Sequence, residues 1–221
     1  MYIGSPLRRG PPARITGAGG YSILARTPDP ELEERVARAA LRLLDNGDVA
    51  ALTMRAVAKE AGTTTPTIYE RFADREKLLQ AVTHEAELEL LGCLRRTSTV
   101  SEFVKQAIEF SLEHPHRLNL RAGTFGSRLA AGQPMPVYHL LKEQLTREVG
   151  VYGAKRDQLA MAVVALIIGT AQTAIAAGAG TAAAKELLRT CLGAVQALSK
   201  AFSSSKTAED RGRRFSSRTG A

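Results

Sequence analysis

The sequence predicts an all-α protein, and three observations carry that reading. Ala, Leu, Arg and Glu recur through a 221-residue chain with no Trp and only 5% aromatic residues, a composition of helix formers. Apolar residues return every three or four positions in one segment after another. Between those segments stands helix-end chemistry, with Asp or Thr before a segment and Gly or Asn-Gly after it. A chain of this length buries a substantial core and accommodates one or two domains.

Residues 1–30 stand apart from the rest. They hold Pro6, Pro11, Pro12, Pro28 and Pro30 with five glycines and no apolar period, so residues 1–28 read as a disordered basic arm. Asp29 then caps a helix whose first position is Pro30, with Glu31, Glu33 and Glu34 near its positive end. Leu32, Val36, Ala39, Ala40, Leu43 and Leu44 form its apolar face, and Asn46-Gly47 stops it.

The segment 53–79, TMRAVAKEAGTTTPTIYERFADREKLL, is the most informative part of the chain. It reads as two short helices around a glycine turn, followed at once by a third. Thr53 caps the first and Gly62 closes it. Thr64 caps the second, with Pro66 in its first turn, where a missing N–H is no loss. Ala58, Gly62, Ile68 and Phe72 are the packing residues that set the two helices against each other. The second helix then exposes Thr64, Thr65, Pro66, Thr67, Tyr69, Glu70 and Arg71, a face suited to a DNA groove. Asp74 caps a longer helix reaching about residue 95, with Leu78, Leu79, Val82, Ala86 and Leu90 on one side.

Beyond it, helices are expected over 102–114, 137–149, 156–177 and 182–202. Phe103, Ala107, Phe110 and Ser111 form the stripe of the first, and Pro115 ends it. Residues 116–133 read as irregular because Gly123, Gly126 and Gly132 interrupt them. The tail 204–221 is polar, aperiodic and basic, and reads as disordered. The uncharged run 158–184 is long enough for a membrane span. Its threonines, glutamines and glycines and the missing aromatic belt favour a buried helix instead. Ala165, Gly169, Thr173 and Ala177 give it a smooth flank for close approach in a bundle or between subunits.

Charge alone does not identify a nucleic-acid reader. The formal net charge is +8, but residues 1–30 and 203–221 each carry +3 of it. Basic tails add general attraction to phosphate and no sequence reading. Cys93 and Cys191 have no metal-ligand or disulfide spacing and read as buried reduced thiols. His114, His116 and His139 lack the carboxylate or cysteine that would make them a metal site, so no metal or cofactor is expected. No nucleophile–base pair, phosphate loop or zinc motif is present, which argues against an enzyme. The beginning of the chain lacks the apolar core of a signal peptide, so a cytoplasmic location is expected. A small helical enzyme and a helical adaptor that does not bind DNA are the competing readings.

The blocks LTMRAVAKEAG (52–62), TTTPTIYERF (63–72) and DREKLL (74–79) together resemble the TetR family of bacterial transcriptional regulators. The resemblance implies a three-helix helix-turn-helix domain over 29–76 and a helical bundle over 77–203 for effector binding and dimerisation. It implies a homodimer, joined by the last two long helices, that binds a near-palindromic double-stranded DNA operator, by default as a repressor, and is released by a small molecule. Carried over by position, Arg55 reaches guanine, Thr64 binds phosphate, Thr65 and Pro66 meet base edges, and Thr67 and Tyr69 touch backbone or thymine. Arg71 and Arg75 or Lys77 hold phosphate, while Glu70 faces away or pairs with an arginine. Candidate linings of the effector pocket are Phe103, Phe110, Leu118, Phe125, Tyr138, Leu141, Met161, Ile168 and Gln172, a mix that suits an apolar or aromatic effector with few charges.

Overall fold

The computed structural model describes residues 31–216 apart from Asp48, with side chains described as far as Ser203. The basic arm and the Asp29–Pro30 helix start lie outside the described residues. Among the described residues there are nine α-helices, one 3-10 turn and no strand. They are α1 (Leu32–Asp45), the turn Val49–Ala51, α2 (Met54–Glu60), α3 (Thr65–Arg71), α4 (Arg75–Leu94), α5 (Val100–Glu113), α6 (Pro115–Ala130), α7 (Pro136–Val149), α8 (Gly153–Ala176) and α9 (Ala182–Ser216).

Local chemistry accounts for most of the helix starts. Thr53, Thr64, Asp74 and Thr99 each sit in extended backbone and accept a hydrogen bond from the N–H three residues on, which satisfies one orphan donor of the first turn. Thr99 does so reciprocally, because Glu102 reaches back to its N–H. Two apolar cores result. One gathers Val36, Leu44, Leu52, Val57, Ile68, Phe72, Leu78 and Val82 from α1 to α4. The other gathers Leu90, Leu94, Phe103, Ile108, Leu118, Leu141, Leu159 and Val163 from α4 to α9. The domain boundary expected at 76/77 therefore falls inside α4, whose first half belongs to one core and whose second half belongs to the other.

The stretch 116–133 is corrected by the structure: it holds α6, running from Pro115 to Ala130. Gly123 and Gly126 have open space where a side chain would stand, and each costs about 1 kcal/mol relative to alanine within a helix. Tertiary anchors outweigh that cost. Leu118 and Leu120 are buried in the two different cores, and Arg117 and Arg128 are buried in ion pairs. Pro115 ends α5 and opens α6, where its ring suits the first turn. Two smaller readings also change. Cys93 is exposed while Cys191 is buried, and the backbone of α9 continues helical to Ser216, past the tail boundary drawn at 204.

Arg117 bolts α6 to the N-terminal helices. Its guanidinium donates to both carboxylate oxygens of Asp45 at the end of α1, at 2.7 and 2.5 Å, and to Glu89 on α4. The hydrogen bond from Arg117 holds the Asp45 carboxyl below the usual carboxylate range, with His114 adding to the effect against the penalty of burial. The folded value is the lower one, so this contribution is complete above about pH 4 and is lost as pH falls through the depressed value. Replacing Asp45 by Asn should flatten the acid limb of a melting-temperature profile between about pH 5 and 2. Arg117→Met should lower stability at neutral pH by about 1.5–3 kcal/mol in a urea titration; an unchanged midpoint in both variants would refute the bolt.

Candidate nucleic-acid interface

The helix-turn-helix is built from three local decisions. Thr53 Oγ1 accepts from Ala56 N at 3.2 Å and starts α2. Gly62 takes φ +65° with nothing within 4 Å of where a Cβ would stand, so it is present for the left-handed turn. The packing role expected of Gly62 is corrected on that point. Thr64 starts α3, its hydroxyl 2.8 Å from that of Thr67 and accepting weakly from the Thr67 N–H at 3.4 Å. Ala58, Ile68 and Phe72 are buried beneath, which leaves α3 seated on α2 with its other side to solvent.

That outer side carries Thr64, Pro66, Tyr69 and Glu70 exposed and Thr65 and Thr67 half-buried. Tyr69 is 55% exposed, unusual for so large a ring with a buried core close by. Arg55 on α2 is exposed and has no side-chain partner among the described residues. Lys77 is exposed in the first turn of α4 and reaches Gln80 at 3.3 Å. Glu70 is exposed and pairs with no arginine among the described residues. Arg71 instead approaches Glu33 of α1 at 3.8 Å. Arg75, although exposed, is folded back on the preceding loop: Nε donates to the Leu52 carbonyl at 3.1 Å and Nη2 to that of Val49 at 2.6 Å. It clips the 3-10 turn to the start of α4, a task that no local pattern in the sequence announces.

A chamber lies in the second half, walled by α4, α5, α6, α7 and α8. Of the expected pocket residues, Phe103, Leu118, Phe125, Tyr138, Leu141 and Ile168 line it. Phe110, Met161 and Gln172 do not. Phe110 lies against the His114 ring at 4.6 Å, while Met161 and Gln172 are on the exposed side of α8. The rings of Phe125 and Tyr138 meet edge to face, their centroids 5.8 Å apart. Sequence reasoning missed three charged members of the wall, Glu87, Arg121 and Arg128; they stand on helix positions that look solvent-bound in a linear reading. Among the described residues no three His, Cys, Asp or Glu side chains are grouped to hold a metal ion.

Comparison with known proteins agrees with this geometry. A family model described as bacterial regulatory proteins, tetR family, matches residues 37–82, which take in most of α1, all of α2 and α3 and the start of α4. The segment that forms the helix-turn-helix is thus of the tetR-family type. The structure of BioQ from Mycobacterium smegmatis is similar at 25% identity and a TM-score of 0.58, covering 78% of this chain and 97% of that one. BioQ with its double-stranded DNA operator is similar at 25% identity and a TM-score of 0.54, over 78% and 98% of the two chains. SCO7222, a TetR from Streptomyces coelicolor, shares the fold at 20% identity and a TM-score of 0.59, over 77% and 97%. No curated protein matches the chain.

The two basic residues at the start of α4 separate by experiment. Arg75→Ala should lower the melting temperature, because it unclips two carbonyls from the turn before α2, and Arg75→Lys should restore little of it, since one ammonium does not replace the guanidinium fork. Lys77→Ala should leave melting within about 0.5 kcal/mol of the parent. Equal melting of the Arg75 and Lys77 variants would show that the clip has no structural weight.

Proposed function

We propose that the protein is a homodimeric repressor that holds a near-palindromic operator and lets go when a small molecule enters the chamber. The observation that carries this reading is the outer face of α3, where hydroxyls, a proline and an exposed tyrosine stand on a base of buried Ala58, Ile68 and Phe72. Hydroxyls and an aromatic at the start of such a helix suit base edges and thymine methyls, and the flanking groups suit phosphate. Thr65 and Pro66 meet base edges, Arg55 reaches guanine, Thr67 and Tyr69 touch backbone or thymine, and Thr64 and Lys77 bind phosphate. The pair of Arg71 with Glu33 is solvent-exposed on the glutamate side. Such a pair is worth little, so Arg71 exchanges Glu33 for phosphate on the operator. Arg75 serves as a positioning residue that fixes the loop before α2.

One α3 reads only a few base pairs, so useful specificity needs two, spaced by about 34–36 Å. The surface of α8 supports a subunit contact. Only 33% of its most apolar stretch is buried within one chain, and the flank of Ala165, Gly169, Thr173 and Ala177 is exposed along its length. By length and composition α8 could cross a membrane; its packing against α5, α7 and α9 and its small-residue flank suit a four-helix interface with a second copy, in a cytoplasmic protein. Release follows from shared elements. α4 and α6 wall the chamber and also hold the operator-reading half, through Leu78 and Val82 and through Arg117 and Leu120, so a ligand that spreads the chamber reorients both α3 helices.

Two measurements decide the reading. Arg55→Ala combined with Tyr69→Ala should abolish sequence-specific retention of the operator while helicity and melting stay near the parent. Undiminished specific binding would leave the protein a helical adaptor. Sedimentation equilibrium at micromolar concentration should give the dimer mass, and a monomer there would remove the two-headed reader.

A further inference from the structure

The charges in the chamber do not balance. Arg128 donates to Glu87 at 2.6 Å and to the Pro134 carbonyl at 2.8 Å, and both side chains of that pair are almost fully buried. Their charges cancel. Arg121, two helical turns earlier on α6, has no such partner. The residue is half-buried, yet its Nη1 is wholly enclosed and makes no hydrogen bond, and no carboxylate pairs with it among the described residues. The two arginines that are buried as whole residues, Arg117 and Arg128, each hold a carboxylate. Buried charges in proteins are paired as a rule, because desolvation is otherwise uncompensated.

Burial pushes the Arg121 guanidinium down to about 10, against the attraction of Glu87 and with some repulsion from Arg128. It therefore stays charged at neutral pH. The rest of the wall is apolar, with Phe103, Phe125, Val164 and Ile168 turned to the same space. The unfilled volume is about 50 Å³, a few times the room that one water needs. A doubly charged phosphate would overshoot the single uncompensated charge and meet a wall with too few donors. A guanidinium fork suits a planar carboxylate.

We propose that the effector is a monocarboxylate with a compact apolar body, its carboxylate bound by Arg121 and its body held against Phe103, Phe125 and Ile168. The proposal keeps the apolar or aromatic body with few charges expected from the sequence and specifies one negative charge. The proposal rests on the effector reading given above and names its chemistry. A carboxylate with only a few carbons fits the chamber as it stands. A longer body has to push α6 away from α7, where Phe125 meets Tyr138, and α6 is the helix that Arg117 fastens to α1.

The test uses the full-length protein with butyrate, hexanoate and benzoate against their methyl esters, read by calorimetry and thermal shift in the absence of DNA. At least one acid should bind and raise the melting temperature, and its ester should bind at least about tenfold more weakly. Arg121→Met should lose that preference and melt no lower than the parent, since it removes an uncompensated buried charge. A purely structural Arg121 would instead give a lower melting temperature. Acids that bind no better than esters, or none binding at all, overturn the proposal; the ester comparison is made on the parent protein and holds even if the variant misfolds. Operator retention is followed separately on the same samples. Acid binding without operator release would leave the chamber assignment standing and remove the effector reading, whereas release by acid and ester alike would do the reverse.

Discussion

The structure depends on one uninterrupted helix serving two cores. From Arg75 to Leu94, α4 runs for 20 residues, with Leu78, Val82 and Ala86 packed among α1 to α3 and Leu90 and Leu94 packed among α5 to α8. A helix of hydrogen-bonded turns without proline bends little along its length. The reading half therefore has no independent orientation: moving the far end of α4 moves the near end. Arg117 makes the constraint tighter by joining α6, α4 and the end of α1 in one ion cluster. Two attachments fix a direction where one would leave a pivot.

Within that frame, the roles of basic residues are set by what surrounds them. Arg55 and Arg75 look alike in the sequence, both close to a helix start in the same motif. Both are exposed, but the first has no side-chain partner among the described residues and the second donates to two backbone carbonyls before α2. Arg117, Arg121 and Arg128 lie on one helix at spacings of four and seven, and their environments differ more still. Two hold carboxylates and one does not. Arginine count and net charge carry none of these distinctions.

Sequence reasoning succeeded where the cause is local and failed where it is not. Thr53, Thr64 and Asp74 were legible as caps because a cap needs only a side-chain oxygen three residues before an N–H. Gly62 was legible as a reversal because a left-handed φ favours glycine. The pocket was legible as stripes of apolar residues but not as a surface. Phe103 and Phe110 share a helical stripe, yet only Phe103 reaches the chamber, since the neighbouring helices decide which part of a stripe is covered. The helix α6 was illegible for the same reason: glycine penalties are local and visible, while Leu118, Leu120, Arg117 and Arg128 repay them through contacts distant in sequence.

The two open glycine positions of α6 have an evolutionary consequence. Alanine at Gly123 or Gly126 meets no neighbour, so each is a ready stabilising change of up to about 1 kcal/mol. Selection for thermal robustness alone would have filled both. A stiffer α6 would resist displacement and make its two attachments harder to move together, so gain in endurance would come at the expense of responsiveness. Directed evolution for heat tolerance in this chain would meet that exchange at these two positions.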